Sequence, residues 1–166
     1  MLLPTEECDV VYVFTHILNH FYKGGIGMRQ ICDWCRLISA YRDKIDALHL
    51  EQRLRKMELM TEWKAFAAFA VDILGISAEA MPLYDTAKRW SKKAKSIKQF
   101  IFDSGNLGHN RDSSYFNKYP YLVRKMCSMG RRMRALARHA RLFPMDSFRF
   151  FPSIMGHGLH SAVKGE

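Results

Sequence analysis

Two histidines, at positions 16 and 20, are the first residues of this chain whose spacing suits chemistry. A separation of four residues places both imidazoles on one face of a helix, as a pair of metal ligands would be. However, no glutamate accompanies them in the H-E-x-x-H pattern, and Asn19 lies between them. We therefore predict no metal site. The two side chains are expected to line a polar groove or to hydrogen bond at the edge of the core, and a role toward a ligand stays open.

A glycine-rich segment follows this pair, since residues 24–27 read Gly-Gly-Ile-Gly between Lys23 and Arg29. The spacing fits neither the Walker pattern nor the dinucleotide-binding pattern. Free backbone N–H groups at the start of the next helix, with two cations beside them, would suit an anion. The alternative is a tight turn between two helices. Asp33 comes four residues after Arg29 and either joins such a site or braces the arginine across one helical turn.

Cys32 and Cys35 have the C-x-x-C spacing of redox pairs and of half a zinc site. A redox pair would begin at the exposed start of a helix, whereas Cys32 falls inside one. A zinc site would need a second pair, whereas Cys8 and Cys127 stand alone. We predict that both cysteines of the motif pack in the core. So few cysteines, so unevenly spread, indicate a reducing compartment, and the cytoplasm is the expected location.

The elements that position these residues are predicted from helical periodicity, because apolar residues recur every three or four positions and alternating strand patterns are missing. The predicted helices run from Thr5 to about Tyr22, from about Gly27 to Asp46, from Leu48 to Met60, from a Thr61 cap to Gly75, from Asp85 or Thr86 to Asp103, and from Leu122 to Phe143. We expect an all-α fold, a compact bundle of about five to seven helices over residues 1–145. Residues 146–166 would form a tail with at most one short helix, and no stretch is expected to span a membrane.

Positive charge is concentrated in the second half of the chain. Residues 86–149 contain 16 Lys and Arg against 3 Asp and Glu, whereas residues 1–85 contain 9 against 12. Such asymmetry favours an acidic partner, which could be nucleic acid, an anionic membrane surface, a nucleotide or an acidic protein, along the segment 88–141. The alternative is a basic face that is simply solvated.

A family resemblance strengthens the case that the histidine pair and the glycine-rich segment form a site. Residues 25–34 read Gly-Ile-Gly-Met-Arg-Gln-Ile-Cys-Asp-Trp and follow a histidine-bearing helix. This combination resembles the hallmark of an uncharacterised bacterial nucleotidyltransferase-like family of the polymerase-β type. The loop at residues 105–110, Gly-Asn-Leu-Gly-His-Asn, resembles a second feature of that family, so the resemblance extends over most of residues 10–145. The candidate ligand-binding residues are His16, His20, Lys23, Gly25, Gly27, Arg29 and Asp33 in the first segment, and Asn106, His109, Asn110 and Arg111 in the second.

The resemblance implies Mg²⁺ and a nucleoside triphosphate as cofactor and substrate of the intact family. Two-metal nucleotidyl transfer uses neighbouring carboxylates, usually an Asp-x-Asp pair after a Gly-Ser turn. Neither Asp-x-Asp nor Gly-Ser occurs in the chain. We therefore expect a helical, nucleotide- or substrate-binding half of a nucleotidyltransferase-like protein, without catalytic residues or a cofactor of its own, and with the catalytic domain supplied N-terminally. The alternative is a helical interaction module whose basic face binds nucleic acid or an acidic protein, the missing domain included.

Overall fold

The structure, a computed structural model, describes residues 5–23 and 26–104, together with the single residues 123, 130, 137, 140 and 143. Contacts divide the chain into two compact units, Met1–Asn110 and Arg111–Glu166. The helices with defined bounds lie in the first unit and are α1 (Glu6–Lys23), α2 (Met28–Ala40), α3 (Ala47–Lys56), α4 (Met60–Asp72) and α5 (Lys88–Ser104), with a short 3₁₀ turn at Ala78–Ala80. The residues described include no strand, which confirms the predicted all-α fold.

Helix α1 follows directly from its local sequence. Its first turn carries Glu6, Glu7 and Asp9, whose negative charges are favourable at the positive end of a helix. Its apolar residues recur every three or four positions and form one buried stripe, consisting of Val10, Phe14, Ile17, Leu18 and Phe21. The observed bounds lie within one residue of those predicted.

An aromatic cluster joins three helices at the centre of the first unit. The ring of Phe14 lies 5.2 Å from Trp34, 5.0 Å from Trp63 and 5.7 Å from Phe66, measured between ring centroids. Trp34 and Trp63 meet edge to face at 5.1 Å. All four side chains are fully buried. Because they come from α1, α2 and α4, this cluster fixes the helices that carry the candidate site relative to one another.

Helix α2 ends earlier than predicted. It stops at Ala40, and residues 41–44 form a turn. Asp46, predicted as its last residue, is instead the cap of α3, since its carboxylate accepts hydrogen bonds from the backbone N–H groups of Leu48 and His49. An aspartate that can bond to the N–H groups ahead of it favours a new helix start over continuation of the old helix. Helix α3 accordingly begins at Ala47 and ends at Lys56 rather than Met60.

The bounds of α4 and α5 also differ from the predictions. Helix α4 begins at Met60, so Thr61 lies inside its first turn and does not cap it. It ends at Asp72, and Gly75 follows in the left-handed region with a φ of +78°, which only glycine adopts without strain. Helix α5 begins at Lys88, later than predicted.

Three sequence predictions fall outside the described part of the chain. They are the loop at residues 105–110, the continuous helix from 122 to 143, and the boundary between a domain ending at 145 and a tail. Within the described part, no helix has both the length and the apolar character needed to cross a membrane.

Candidate functional site

The two histidines lie together on the outer face of α1. Their Nε2 atoms are 3.1 Å apart, and the rings meet edge to face with centroids at 4.5 Å. His16 is exposed and His20 is half-buried, so the pair faces outward rather than into the core. A contact between two ring nitrogens needs one donor and one acceptor, so the contact is formed only while one of the two Nε2 atoms lacks a proton. Among the described residues, no group of three His, Cys, Asp or Glu side chains is placed to hold a metal ion.

The start of α2 has unusual electrostatics. Gly27 precedes the helix with φ −85° and ψ 146°, an extended conformation that does not require glycine, and it supplies no side-chain cap. The Gln30 side chain accepts a hydrogen bond from the Gly27 N–H at 3.3 Å. The first turn contains no acidic residue and instead carries the exposed Arg29. An arginine at the positive end of a helix is unfavourable unless an anion lies nearby.

The other helix starts of the described region differ from that of α2. Each has a carboxylate in its first turn or just before it. These carboxylates belong to Glu6, Glu7 and Asp9 for α1, Asp46 for α3, Glu62 for α4 and Asp85 for α5. Helix α2 therefore has the one start in the described region that leaves room for a negative charge from outside.

The outer face of α2 corrects two sequence interpretations. Arg29 and Asp33 are both exposed, and the ion pairs found in the described region do not include one between them, so the bracing interpretation is wrong. Cys35 is buried, and burial raises the pKa of its thiol to about 12. Cys32 is exposed, so the prediction that it packs in the core is also wrong. The side chains of Arg29, Cys32 and Asp33 thus present one polar surface.

The structure brings only part of the predicted site together. It pairs His16 with His20 and places Arg29 at an open helix start, but no hydrogen bond or ion pair of the described residues joins these two groups. The backbone of Lys23 ends α1. The side chain of Lys23, all of Gly25 and the second candidate set lie outside the described part of the chain; that set comprises Asn106, His109, Asn110 and Arg111.

Two contacts around the start of α1 are not predicted by any sequence pattern. The Glu7 carboxylate accepts a hydrogen bond from the backbone N–H of Asp46 at 2.9 Å, and this bond lowers the pKa of Glu7. The Cys8 sulfur lies 3.3 Å from the Thr5 hydroxyl and 2.8 Å from Nη1 of Arg53, and these groups, Thr5 most strongly, lower the pKa of its thiol. Two of the partners lie about 40 residues away along the chain, so no local pattern signals them.

The comparison with protein families finds a match that contains the first candidate segment. Residues 1–75 match the model of a family described as uncharacterised nucleotidyltransferase. The match runs from α1 to the end of α4 and includes His16, His20, Arg29 and Asp33, whereas the loop at 105–110 lies beyond its end. Neither a curated protein nor a solved structure matches the chain. The match confirms the resemblance predicted from residues 25–34, and residues 1–75 are similar to the uncharacterised nucleotidyltransferase family.

Proposed function

We propose that the start of α2 holds a phosphate of a nucleotide, and that the chain is the helical, nucleotide-binding part of a nucleotidyltransferase-like protein. The observation that carries this proposal is the helix start without a carboxylate, which exposes Arg29 inside the family-matched segment. The guanidinium of arginine offers two parallel N–H donors that suit phosphate oxygens. The backbone N–H groups of the first helical turn add further donors and a partial positive charge.

The neighbouring side chains have roles that follow from their chemistry. Asp33, one turn after Arg29 and exposed, accepts hydrogen bonds only, which suits the hydroxyl groups of a ribose or of an acceptor substrate. His16 and His20 form a pair with one shared hydrogen bond, so each ring keeps its second nitrogen for a polar ligand. Lys23 and Gly25 complete the proposed ligand-binding set from the sequence alone.

Catalysis is assigned to a separate domain. The chain has no Asp-x-Asp pair, and the described residues offer no cluster of carboxylates that fits Mg²⁺. Binding of the metal and activation of the attacking hydroxyl would therefore be supplied by another part of the assembly. On this proposal the isolated chain, mixed with Mg²⁺ and a labelled nucleoside triphosphate, transfers no nucleotide above background. Transfer that increases in proportion to the concentration of the chain would contradict it.

The binding proposal is tested by titrating the full chain with a nucleoside triphosphate in a calorimeter. Arg29→Ala should weaken binding by about tenfold, the loss of one charge-assisted contact of about 1.4 kcal/mol. The matched control is Arg36→Ala, which removes another exposed arginine from the same helix, away from its start. Equal affinities of the two variants would overturn the proposal. Unchanged melting temperatures would show that neither variant acts through stability.

The alternative, a module that binds nucleic acid or an acidic protein, is favoured by the outer face of α5. That face exposes five cations, which are Lys88, Arg89, Lys92, Lys95 and Lys98. Binding to a polyphosphate backbone by such a face loses affinity steeply with salt, with a slope of about −0.9 per phosphate neutralised on duplex DNA. A titration with duplex DNA and with RNA at two salt concentrations checks this, and no binding at low salt would exclude the nucleic-acid version.

A further inference from the structure

We propose a second anion site, separate from the start of α2, in a cleft that takes the phosphate group of a small phosphate-bearing molecule. The cleft lies between α3, α4 and α5 and has a volume of about 300 Å³. It is lined by Arg55, Met60, Thr61, Lys64, Arg89 and Trp90. This inference does not depend on the function proposed for α2.

Three cations from three different helices meet in this cleft, and its lining contains no carboxylate. Arg55 comes from α3, Lys64 from α4 and Arg89 from α5. Like charges repel one another, so their convergence from separate helices is costly unless a negative charge balances them. A concave surface lined by one sign of charge also concentrates oppositely charged ligands.

Two of these cations already have acidic partners at the rim of the cleft. Arg55 contacts Glu51 at 2.6 Å, and Lys64 contacts Asp85 at 2.8 Å. Within the described part of the chain, Arg89 has no such partner. These five side chains therefore carry one net positive charge. Because partly exposed ion pairs contribute little, a doubly charged phosphate can replace the rim carboxylates at small cost.

Arg89 is held in place by an aromatic ring. Its guanidinium carbon lies 4.6 Å from the centroid of the Trp90 ring, and Nζ of Lys64 lies 5.8 Å from the same centroid. Trp90 is only 6% exposed, so its ring packs against the cations and has no free face on which a nucleotide base could stack. Its indole N–H approaches the Asp85 carboxylate without reaching hydrogen-bond geometry. Stacking leaves the N–H fork of arginine free to meet an anion in the plane of the guanidinium.

Two helix starts also meet at the cleft. Met60 and Thr61 are the first two residues of α4, whose preceding residue makes no side-chain cap. Arg89 and Trp90 are the second and third residues of α5. Glu62 and Asp85 offset the positive charge of these two helix ends, so the attraction for an anion rests on the three cationic side chains. The volume of about 300 Å³ is at the lower end of known ligand pockets and suits a small molecule with a terminal phosphate.

The experiment measures binding of inorganic phosphate and of adenosine monophosphate to the full chain, by calorimetry and by tryptophan fluorescence. Arg89→Gln and Lys64→Gln should each raise the Kd of both probes by about tenfold, because each removes a charge that faces the phosphate. Arg36→Gln, an exposed change on α2 outside the cleft, should leave both Kd values unchanged.

Several results would overturn this inference. One is that the original chain binds neither probe at millimolar concentration, and another is that the cleft variants bind as tightly as Arg36→Gln. Displacement of phosphate by an oligonucleotide that lacks terminal phosphates would indicate a phosphodiester backbone instead of a small molecule. If Arg29→Ala loses binding and the cleft variants do not, the function proposed for α2 is supported and the second site is excluded. Melting temperatures of the glutamine variants within a few degrees of the original chain exclude unfolding as the cause.

Discussion

The two proposed anion sites are built in different ways. The start of α2 takes its groups from one short stretch, residues 28–33, and its character follows from the missing carboxylate. The cleft between α3, α4 and α5 takes its cations from positions 55, 64 and 89, which only packing brings together. The first proposed site therefore coincides with a sequence motif and with the family match, whereas the second can be recognised only from the folded structure.

The largest expected effect comes from the aromatic core that supports the family-matched helices. Phe14→Ala should destabilise the chain by about 3–5 kcal/mol, because it removes a fully buried ring that contacts Trp34, Trp63 and Phe66. Urea unfolding measures the loss, with Phe14→Leu as the milder control. A loss below about 1 kcal/mol would mean that the core does not fix these helices as described.

The next largest effect concerns the hydrogen bond that joins α1, which carries the histidines, to the start of α3. Glu7→Ala removes the acceptor of the Asp46 N–H, which should cost about 1–3 kcal/mol. Because the pKa of Glu7 is lowered by that bond, its contribution is present above the unfolded pKa of about 4.3 and is lost as the pH falls through the folded value. Denaturation of the original chain and the variant from pH 7 to pH 3 checks this. A stability difference that stays constant over that range would contradict it.

A smaller effect concerns the rim of the cleft. Asp85→Asn releases Lys64, and it should tighten phosphate binding by about two- to fivefold while lowering the melting temperature. Lys64 first, and then the Ala87 N–H, lower the pKa of Asp85, so its contribution to stability is full above the unfolded pKa and is lost only as the pH falls through the lower folded value. Weaker phosphate binding by this variant would indicate that Asp85 belongs to the ligand site rather than competing with it.

The smallest effect tests a third helix start, that of α1. The pKa of Cys8 is lowered, most strongly by Thr5 and then by Arg53, whereas burial raises the pKa of Cys35 to about 12. Iodoacetamide at pH 8 should therefore alkylate Cys8 well before Cys35. Arg53→Ala should slow the reaction of Cys8 by a few-fold, as followed by peptide mass spectrometry. Equal rates at the two cysteines would contradict the described environments.

The features predicted correctly from the sequence are those that depend on neighbours along the chain. The bounds of α1 follow from its acidic first turn and its apolar stripe, and the all-α fold follows from periodicity. The prediction for Cys32 is wrong because it rests on the general tendency of cysteine to be buried, whereas the spacing of Cys32 from Arg29 and Arg36 places it on their exposed face. The prediction that Asp46 ends α2 is wrong because the carboxylate caps α3 through the N–H groups of Leu48 and His49.

Contacts between residues that lie far apart in the sequence cannot be predicted from local sequence patterns. Glu7 meets Asp46, and Cys8 meets Arg53, only because α3 packs near the start of α1. The cleft has the same origin, since nothing in the spacing of Arg55, Lys64 and Arg89 indicates that they converge. Local sequence thus predicts the helices, whereas contacts between helices depend on how the chain packs.

The most direct test of the central claim is an NMR titration of the full, ¹⁵N-labelled chain with a nucleoside triphosphate. If the start of α2 holds a phosphate, the amide signals of Met28, Arg29 and Gln30 should shift together and saturate at the affinity measured by calorimetry. Arg29→Ala should require about tenfold more nucleotide to produce the same shifts, and Arg36→Ala should leave the titration unchanged. Shifts confined to the cleft around Arg89, with the start of α2 unaffected, would contradict the claim.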